Sequence, residues 1–484
     1  MRGRVMKLEQ RLVVAAAVLL LAACAPREVL FPALGLDAPK LDLLPADFES
    51  PRSYETEQPM PGFGGGGGGV HRVPVIWIHG NTVSATFWLP ARQYFLEQGY
   101  TQDETWALSY GWDNPRYFDS TDLSVPSVDR IVNAVTNYLT QLTGEPVQQV
   151  DVIGHSLGVT LVRQWMKQTN SYHRVRNFIG VAGANDGVWT AWNDTRGQQR
   201  GVSWELFPDS PWLKQLSAGG ETPGPTRYMM LYDGSGWGDV LFPTPLEDSG
   251  SLEGANNVAF NREDGMYLDH LELPRAPETM AVMLDWVAKA PVPDDGARRP
   301  VMRQTGRLLT ASQPGALIHC TDDGSQPDRQ TPGTERLLMT VGPVYSCYPQ
   351  HPETQLAGPI ERFAWAGEQA PAREAPSLQI EPAGGVFEHP VEVTLSSDDP
   401  DAFIVYNTSG TPIETGSPLY REPVYVAGPV RFTAMAVGPD GQRSDPVTVE
   451  FDISLELVEA RHTLQRQFNP ETPVNYAGDR KKGR

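Results

Sequence analysis

The stretch Val150-Asp-Val-Ile-Gly-His-Ser-Leu-Gly158 decides the fold. A run of β-branched residues ends at Gly154-His155-Ser156-Leu157-Gly158, and the apolar segment Val159 to Met166 follows, which reads as strand, tight turn, helix. A serine on such a turn needs small neighbours two positions to either side, because a Cβ there would collide with the crossing strand and helix. The turn lifts Oγ into a cleft, and the free N–H groups of the helix that follows face any negative charge formed beside it. Ser156 is therefore the candidate nucleophile.

A serine hydroxyl attacks only when a base takes its proton, and the base needs an acid to hold its tautomer. In folds with this turn the chain order is Ser, Asp or Glu, His. Of the histidines after Ser156, only His173 and His270 fall in the region where strands and helices alternate, and His173 comes too early. His270, in Met266-Tyr-Leu-Asp-His-Leu-Glu-Leu273 ahead of a helix expected over 277–289, is the candidate base. Tyr228-Met-Met-Leu-Tyr232 reads as a buried strand, and Asp239 lies in the loop after it. Asp233 opens an Asp-Gly pair and reads as a turn former. Asp186, in Asn185-Asp-Gly-Val-Trp189, is the rival acid.

Upstream, Val73-Pro-Val-Ile-Trp-Ile-His79-Gly80-Asn81 is a buried strand running into a turn, with His79 a structural residue of that turn. In hydrolases of this kind the residue after the His-Gly pair and the residue after the nucleophile supply the oxyanion N–H groups, places held here by Asn81 and Leu157. Strand and helix alternate from 73 to 290, which implies a mostly parallel sheet covered on both faces, with the chemistry at the carboxyl ends of the strands.

Here the pattern resembles a family. Val75-Ile-Trp-Ile-His-Gly80, Gly154-His-Ser-Leu-Gly158 and Phe178-Ile-Gly-Val-Ala-Gly-Ala-Asn185 look like the small bacterial triacylglycerol lipases of the α/β-hydrolase superfamily, over residues 73 to 290. The resemblance implies a secreted serine esterase that needs no metal or organic cofactor, with Ser156, His270 and Asp239 in the lipases' roles. An archaeal lipase type with an appended β-domain carries a segment similar to Asp186-Gly-Val-Trp189 and draws its acid from it, which keeps Asp186 open. Between 184 and 227 the chain is longer than in minimal lipases and carries Trp189, Trp192, Trp204 and Trp212, either as a lid and acyl-binding wall or as packing for a longer excursion.

The whole chain sets the frame. Its 484 residues exceed one core, and 59 acidic against 39 basic side chains, a net charge of −20, argue against a nucleic-acid partner. Arg2, Arg4, Lys7 and Arg11 precede the apolar run 12–23, too short to span a bilayer but suited to a secretory signal. The run ends Leu21-Ala22-Ala23-Cys24, which resembles the bacterial lipobox; Cys24 would then carry lipid and, with Ala25 after it, place the protein at the outer membrane. Residues 1–24 are read as signal, 25–70 as a Pro/Gly-rich tether flexible at the glycine run 64–69, and 71–292 as the catalytic domain. Once Cys24 is set aside, Cys320 and Cys347 form an even pair that an oxidising compartment could join.

After residue 296 helical periodicity gives way to short β-like runs, and an internal repeat is visible. Leu309 to Gly324 parallels Leu395 to Gly410, and Ala357-Gly-Pro-Ile parallels Ala427-Gly-Pro-Val. Two β-sandwiches are expected, at 297–376 and 377–455, with a charged tail at 456–484. The second resembles the C-terminal domain of chitobiase-type hexosaminidases, most tellingly in Ile404-Val-Tyr-Asn-Thr-Ser-Gly-Thr-Pro412. Such modules bind polymer or lipid surfaces, or space the enzyme. The functional expectation is an anchored ester hydrolase acting on acylglycerols; the alternatives are an aliphatic polyester depolymerase and a surface-binding lipoprotein whose hydrolase domain is catalytically idle.

Overall fold

The computed structural model describes residues 43–54, 57–81, 83–111, 121–188, 202, 205–208, 210–234, 247–260, 270–291, 297–367 and 374–453. The expected signal segment, Cys24, Trp189, Trp192, Trp204, Asp239 and the expected charged tail lie outside the described residues.

The described residues of the first domain form seven strands: β1 Gly62–Phe63, β2 Val75–Ile78, β3 Thr105–Leu108, β4 Val150–His155, β5 Val175–Val181, β6 Arg227–Asp233 and β7 Asn256–Phe260. They form one sheet in the order β1-β3-β2-β4-β5-β6-β7. Only the β1–β3 pair is antiparallel; the other pairs are parallel. Strands β2 to β5 are buried along their whole length, the signature of a sheet covered on both faces.

Successive strand residues point to opposite faces, and the packing follows that period. Ile76 and Ile78 join a core with α2 (Thr121–Thr143) and α3 (Leu157–Thr169), where Val128, Ile131, Leu161 and Trp165 are fully buried. Val75 and Trp77 face the other core, beneath Ala91 and Phe95 of α1 (Leu89–Glu97) and, further along the chain, the last helix Pro277–Ala288, which contributes Met283 and Val287. Two shorter helices, Pro211–Ser217 and Glu247–Gly250, come before that last one, and the three are α4, α5 and α6 in chain order.

The expected tether is different from its reading over the described part. From residue 43 onward the chain packs on the seven-stranded domain: Met60 and Phe63 are buried, and Phe48 sits against Trp106. Gly62 pairs with Leu108 of β3, a position that needs glycine because a Cβ there would lie 2.1 Å from Ala107 O. The glycine run is wrapped around one carboxylate, with Gly67 N–H and Gly69 N–H donating to the two Asp103 oxygens at 3.0 and 2.9 Å. Six glycines hide this in the sequence, since the group that orders them comes from a distant residue.

Beyond 296 the strands form four smaller sheets, paired as two sandwiches. In the first, Leu317–Thr321 pairs with Tyr345–Gln350, and the facing residues Cys320 and Cys347 are joined in a disulfide. In the second, Phe432, Tyr406 and Phe451 fill the core.

Both sandwiches are fastened to the seven-stranded domain, and they use equivalent loops. In the first, Gln326 N–H donates to Gly219 O at 2.6 Å and Gly224 N–H to Pro327 O at 2.8 Å. In the second, Thr408 N–H donates to Gln168 Oε1 at 3.0 Å and Asn407 Nδ2 to Gln168 O at 2.9 Å. Thr408 Oγ1 donates to Asp122 Oδ1 at 2.8 Å, where Gln164 Nε2 also donates at 2.5 Å. Asn170 Nδ2, just past α3, donates to Ile360 O at 2.7 Å, and Ile360 shares the hydrolase core.

Candidate active site

Ser156 stands between β4 and α3 at φ 54°, ψ −125°, a conformation that strains any residue with a Cβ. The surrounding glycines explain how the turn closes. A Cβ at Gly158 would lie 2.5 Å from His79 O, one at Gly154 would lie 2.9 Å from Gly158 O, and one at Gly80 would lie 2.9 Å from Ser156 Cβ. The turn after β2 is thus pressed directly against the turn that carries the serine. Ser156 N–H donates to Val181 O at 3.0 Å, which binds the turn to the end of β5. Leu157 is the first residue of α3, and a helix leaves the N–H groups of its first turn without partners of its own.

His79 is structural, as its sequence setting suggests. It is fully buried and stacks on Tyr110 at 4.3 Å and 11°. Its Nε2 accepts from Tyr110 N–H at 3.1 Å, so the proton is on Nδ1, which donates to Gly80 O at 2.8 Å. That carbonyl and the Asn81 N–H share one trans peptide and point opposite ways, so fastening Gly80 O turns the Asn81 N–H away from His79. Burial pushes the His79 pKa down to about 4, and the ring stays neutral while it does this.

His270 is buried and lies next to the nucleophile turn: its ring is 4.7 Å from that of His155, the residue before Ser156. His155 Nε2 is 2.8 Å from His270 O. The candidate base and the candidate nucleophile, 114 positions apart in the chain, are thus held in one neighbourhood by His155. His173 lies in the short helix 171–174 after α3, with Nδ1 on Asn170 O at 3.1 Å.

The acid candidates separate by position. Asp186 is exposed in the turn after β5. Asp239 lies outside the described residues. Asp233, read from the sequence as a turn former, is instead the last residue of β6, 2% exposed and paired with Phe260 of β7. It therefore sits at the carboxyl edge of the sheet beside the strand that leads to His270. The Asp-Gly pair masked this, since a strand end and a turn start are the same place in sequence. His155 was likewise overlooked, because the motif reading assigns no task to the residue before the serine.

The segment after β5 packs where it is described. Trp212 is buried with Leu157, Ala184, Val188 and Leu206. Glu205 Oε2 accepts from Thr121 N–H at 2.9 Å and Thr121 Oγ1 at 2.7 Å, tying this excursion to the start of α2.

Residues 72–231 match the family described as lipase (class 2), and residues 382–448 match the chitobiase/beta-hexosaminidase C-terminal domain. No curated protein matches the chain. Among solved structures, the chain is similar to the lipase BlEst2 of Bacillus licheniformis in its mature form, at 16% identity and a TM-score of 0.35, covering 46% of this chain and 96% of that one. The propeptide form of the same lipase aligns at 12% identity and a TM-score of 0.36, over 79% of this chain and 95% of that one. Est1E from Butyrivibrio proteoclasticus with bound ferulic acid aligns at 16% identity and a TM-score of 0.31, over 45% of this chain and 91% of that one.

Proposed function

We propose that this chain, a carboxylic-ester hydrolase of the lipase and esterase type, cleaves acylglycerol esters through an acyl-enzyme on Ser156. Ser156 Oγ attacks the ester carbonyl while His270 takes its proton, and His270 then returns the proton to the departing alcohol. The N–H groups of Asn81 and Leu157 receive the oxyanion. Water, deprotonated by the same histidine, releases the acid and frees the serine. A carboxylate steadies the imidazolium; Asp239 holds that role by its place after β6, and the buried Asp233 is its nearest competitor. The observation that carries the reading is the strained Ser156 at a strand–helix turn, with His270 fastened one residue away.

The anchored setting is part of the proposal: Cys24 is lipidated and holds the enzyme at the outer membrane. Radiolabelled palmitate incorporated by the native chain and not by Cys24→Ser is the expected result. The sandwiches act as structural supports, since their equivalent loops both hydrogen-bond to the hydrolase domain. A series of p-nitrophenyl esters tests the substrate class: turnover should peak at long acyl chains and fall at least about 10⁴-fold in Ser156→Ala. Full turnover by Ser156→Ala would refute the mechanism, and a folded native chain with no turnover on any ester would favour the catalytically idle binding protein.

A further inference from the structure

His155 has no task in the reaction as described, yet it is 1% exposed at the centre of the site. Its ring stacks on Phe87 at 4.7 Å and 19°, meets Trp88 edge-on at 6.3 Å, and lies 4.7 Å from the His270 ring. Its Nε2 is 2.8 Å from the main-chain oxygen of His270. A carbonyl only accepts, so Nε2 carries the proton. Nδ1 is buried with no partner among the described residues, which suits the unprotonated nitrogen of a neutral ring. Burial, with His270 and His79 beside it, holds this imidazole well below its ordinary pKa, so the donor does not change across the working pH range.

The geometry gives this bond a purpose. His270 stands at the head of the segment that enters the core, with Leu271 packed against that core and Leu273 fully buried in it. On the nucleophile side, the bond from His155 fastens His270. We propose that His155 is a positioning residue: it ties the main chain of the catalytic base to the nucleophile turn and so sets the approach of the His270 ring to Ser156 Oγ. This rests on the reading of His270 as the base.

The test compares His155→Leu, which fills the volume without a donor, with His155→Gln, whose amide can donate to the same carbonyl. In His155→Leu, kcat should fall about 10- to 100-fold, the loss expected from a reacting group misplaced by about an ångström. KM should stay within about twofold and the acid limb of the kcat/KM pH profile should move, with His155→Gln recovering most of the native values. Native kcat and pH profile in His155→Leu would overturn the proposal. So would equal losses in both variants that track their melting temperatures, which would mark a packing role. His270→Ala is measured alongside: activity retained there refutes the base assignment itself, whereas an inactive His270→Ala beside an undisturbed His155→Leu refutes only the tie. A second measurement needs no variant. In ¹⁵N-histidine-labelled native protein, His155 should show the neutral Nε2–H tautomer throughout the active pH range, and an Nδ1–H tautomer would overturn the proposal.

Discussion

Ser156 holds a backbone conformation that costs of the order of 1–3 kcal/mol, and the glycines around it allow the neighbouring turns to close on it. Gly158→Ala puts a methyl 2.5 Å from His79 O, a backbone atom that cannot swing aside as a side chain would. Its expected outcome is ester turnover lowered by at least about 10²-fold together with a lower melting temperature, because the turn after β2 and the turn at Ser156 are pushed apart. His79 makes the same region sensitive to acid. Its folded pKa of about 4 lies below the ordinary 6.5, so the unfolded chain binds the proton first as pH falls. The stability from this group is complete above about pH 6.5 and is lost progressively down to about pH 4, by roughly 3 kcal/mol at most. His173, lowered to about 3, acts in the same direction. Urea unfolding at intervals from pH 7 to pH 4 checks this, and a flat stability over that window would contradict it.

At the scale of elements, α3 carries the account: its first residue follows Ser156, the proposed nucleophile, and its last turn meets the second sandwich. Thr408→Val removes the hydroxyl on Asp122 Oδ1 and should lower stability by about 1–3 kcal/mol in denaturant titrations of the full chain. Near the amino ends of β4 and β5, Arg176 and Asp151 form a buried ion pair, with Asn177 Nδ2 on Asp151 Oδ1 at 2.7 Å. Asp151→Ala would strand the guanidinium and should cost about 3–5 kcal/mol by the same measurement, without moving the pH profile of catalysis. Strands β2, β4 and β6, with the helices after Ser156 and at 277–289, were legible in the sequence because runs such as Val75 to Ile78 and Tyr228 to Tyr232 suit burial on both faces. Strand β7, with Asn256 and Asn257 exposed, carries no such mark. The acid was less legible for a related reason: Asp233 and Asp239 differ in where the chain leaves the sheet, and that depends on Phe260 pairing from another segment.

The whole molecule is a hydrolase with two sandwiches docked on it, and the docking was not legible in the sequence. The repeat revealed the modules, since its offset aligns Thr321 with Asn407, but hydrogen bonds such as Asn407 to Gln168 join residues 239 positions apart that follow no pattern. The glycine run shows the same limit in reverse: a low-complexity stretch reads as free chain until the Asp103 carboxylate that orders it is in place. Removing residues 297–484 should therefore expose apolar surface covered by Tyr348 and Ile360, lower the melting temperature and promote aggregation. An unchanged melting temperature would return the sandwiches to the role of spacers. The central claim, a nucleophile at Ser156 activated by His270, is tested most directly by treating the purified protein with a fluorophosphonate and mapping the adduct by peptide mass spectrometry. A single adduct on the Ser156 peptide, formed at least about 10³-fold more slowly in His270→Ala, is the expected result. An adduct on another residue, or ester turnover that persists with Ser156 fully labelled, would contradict it.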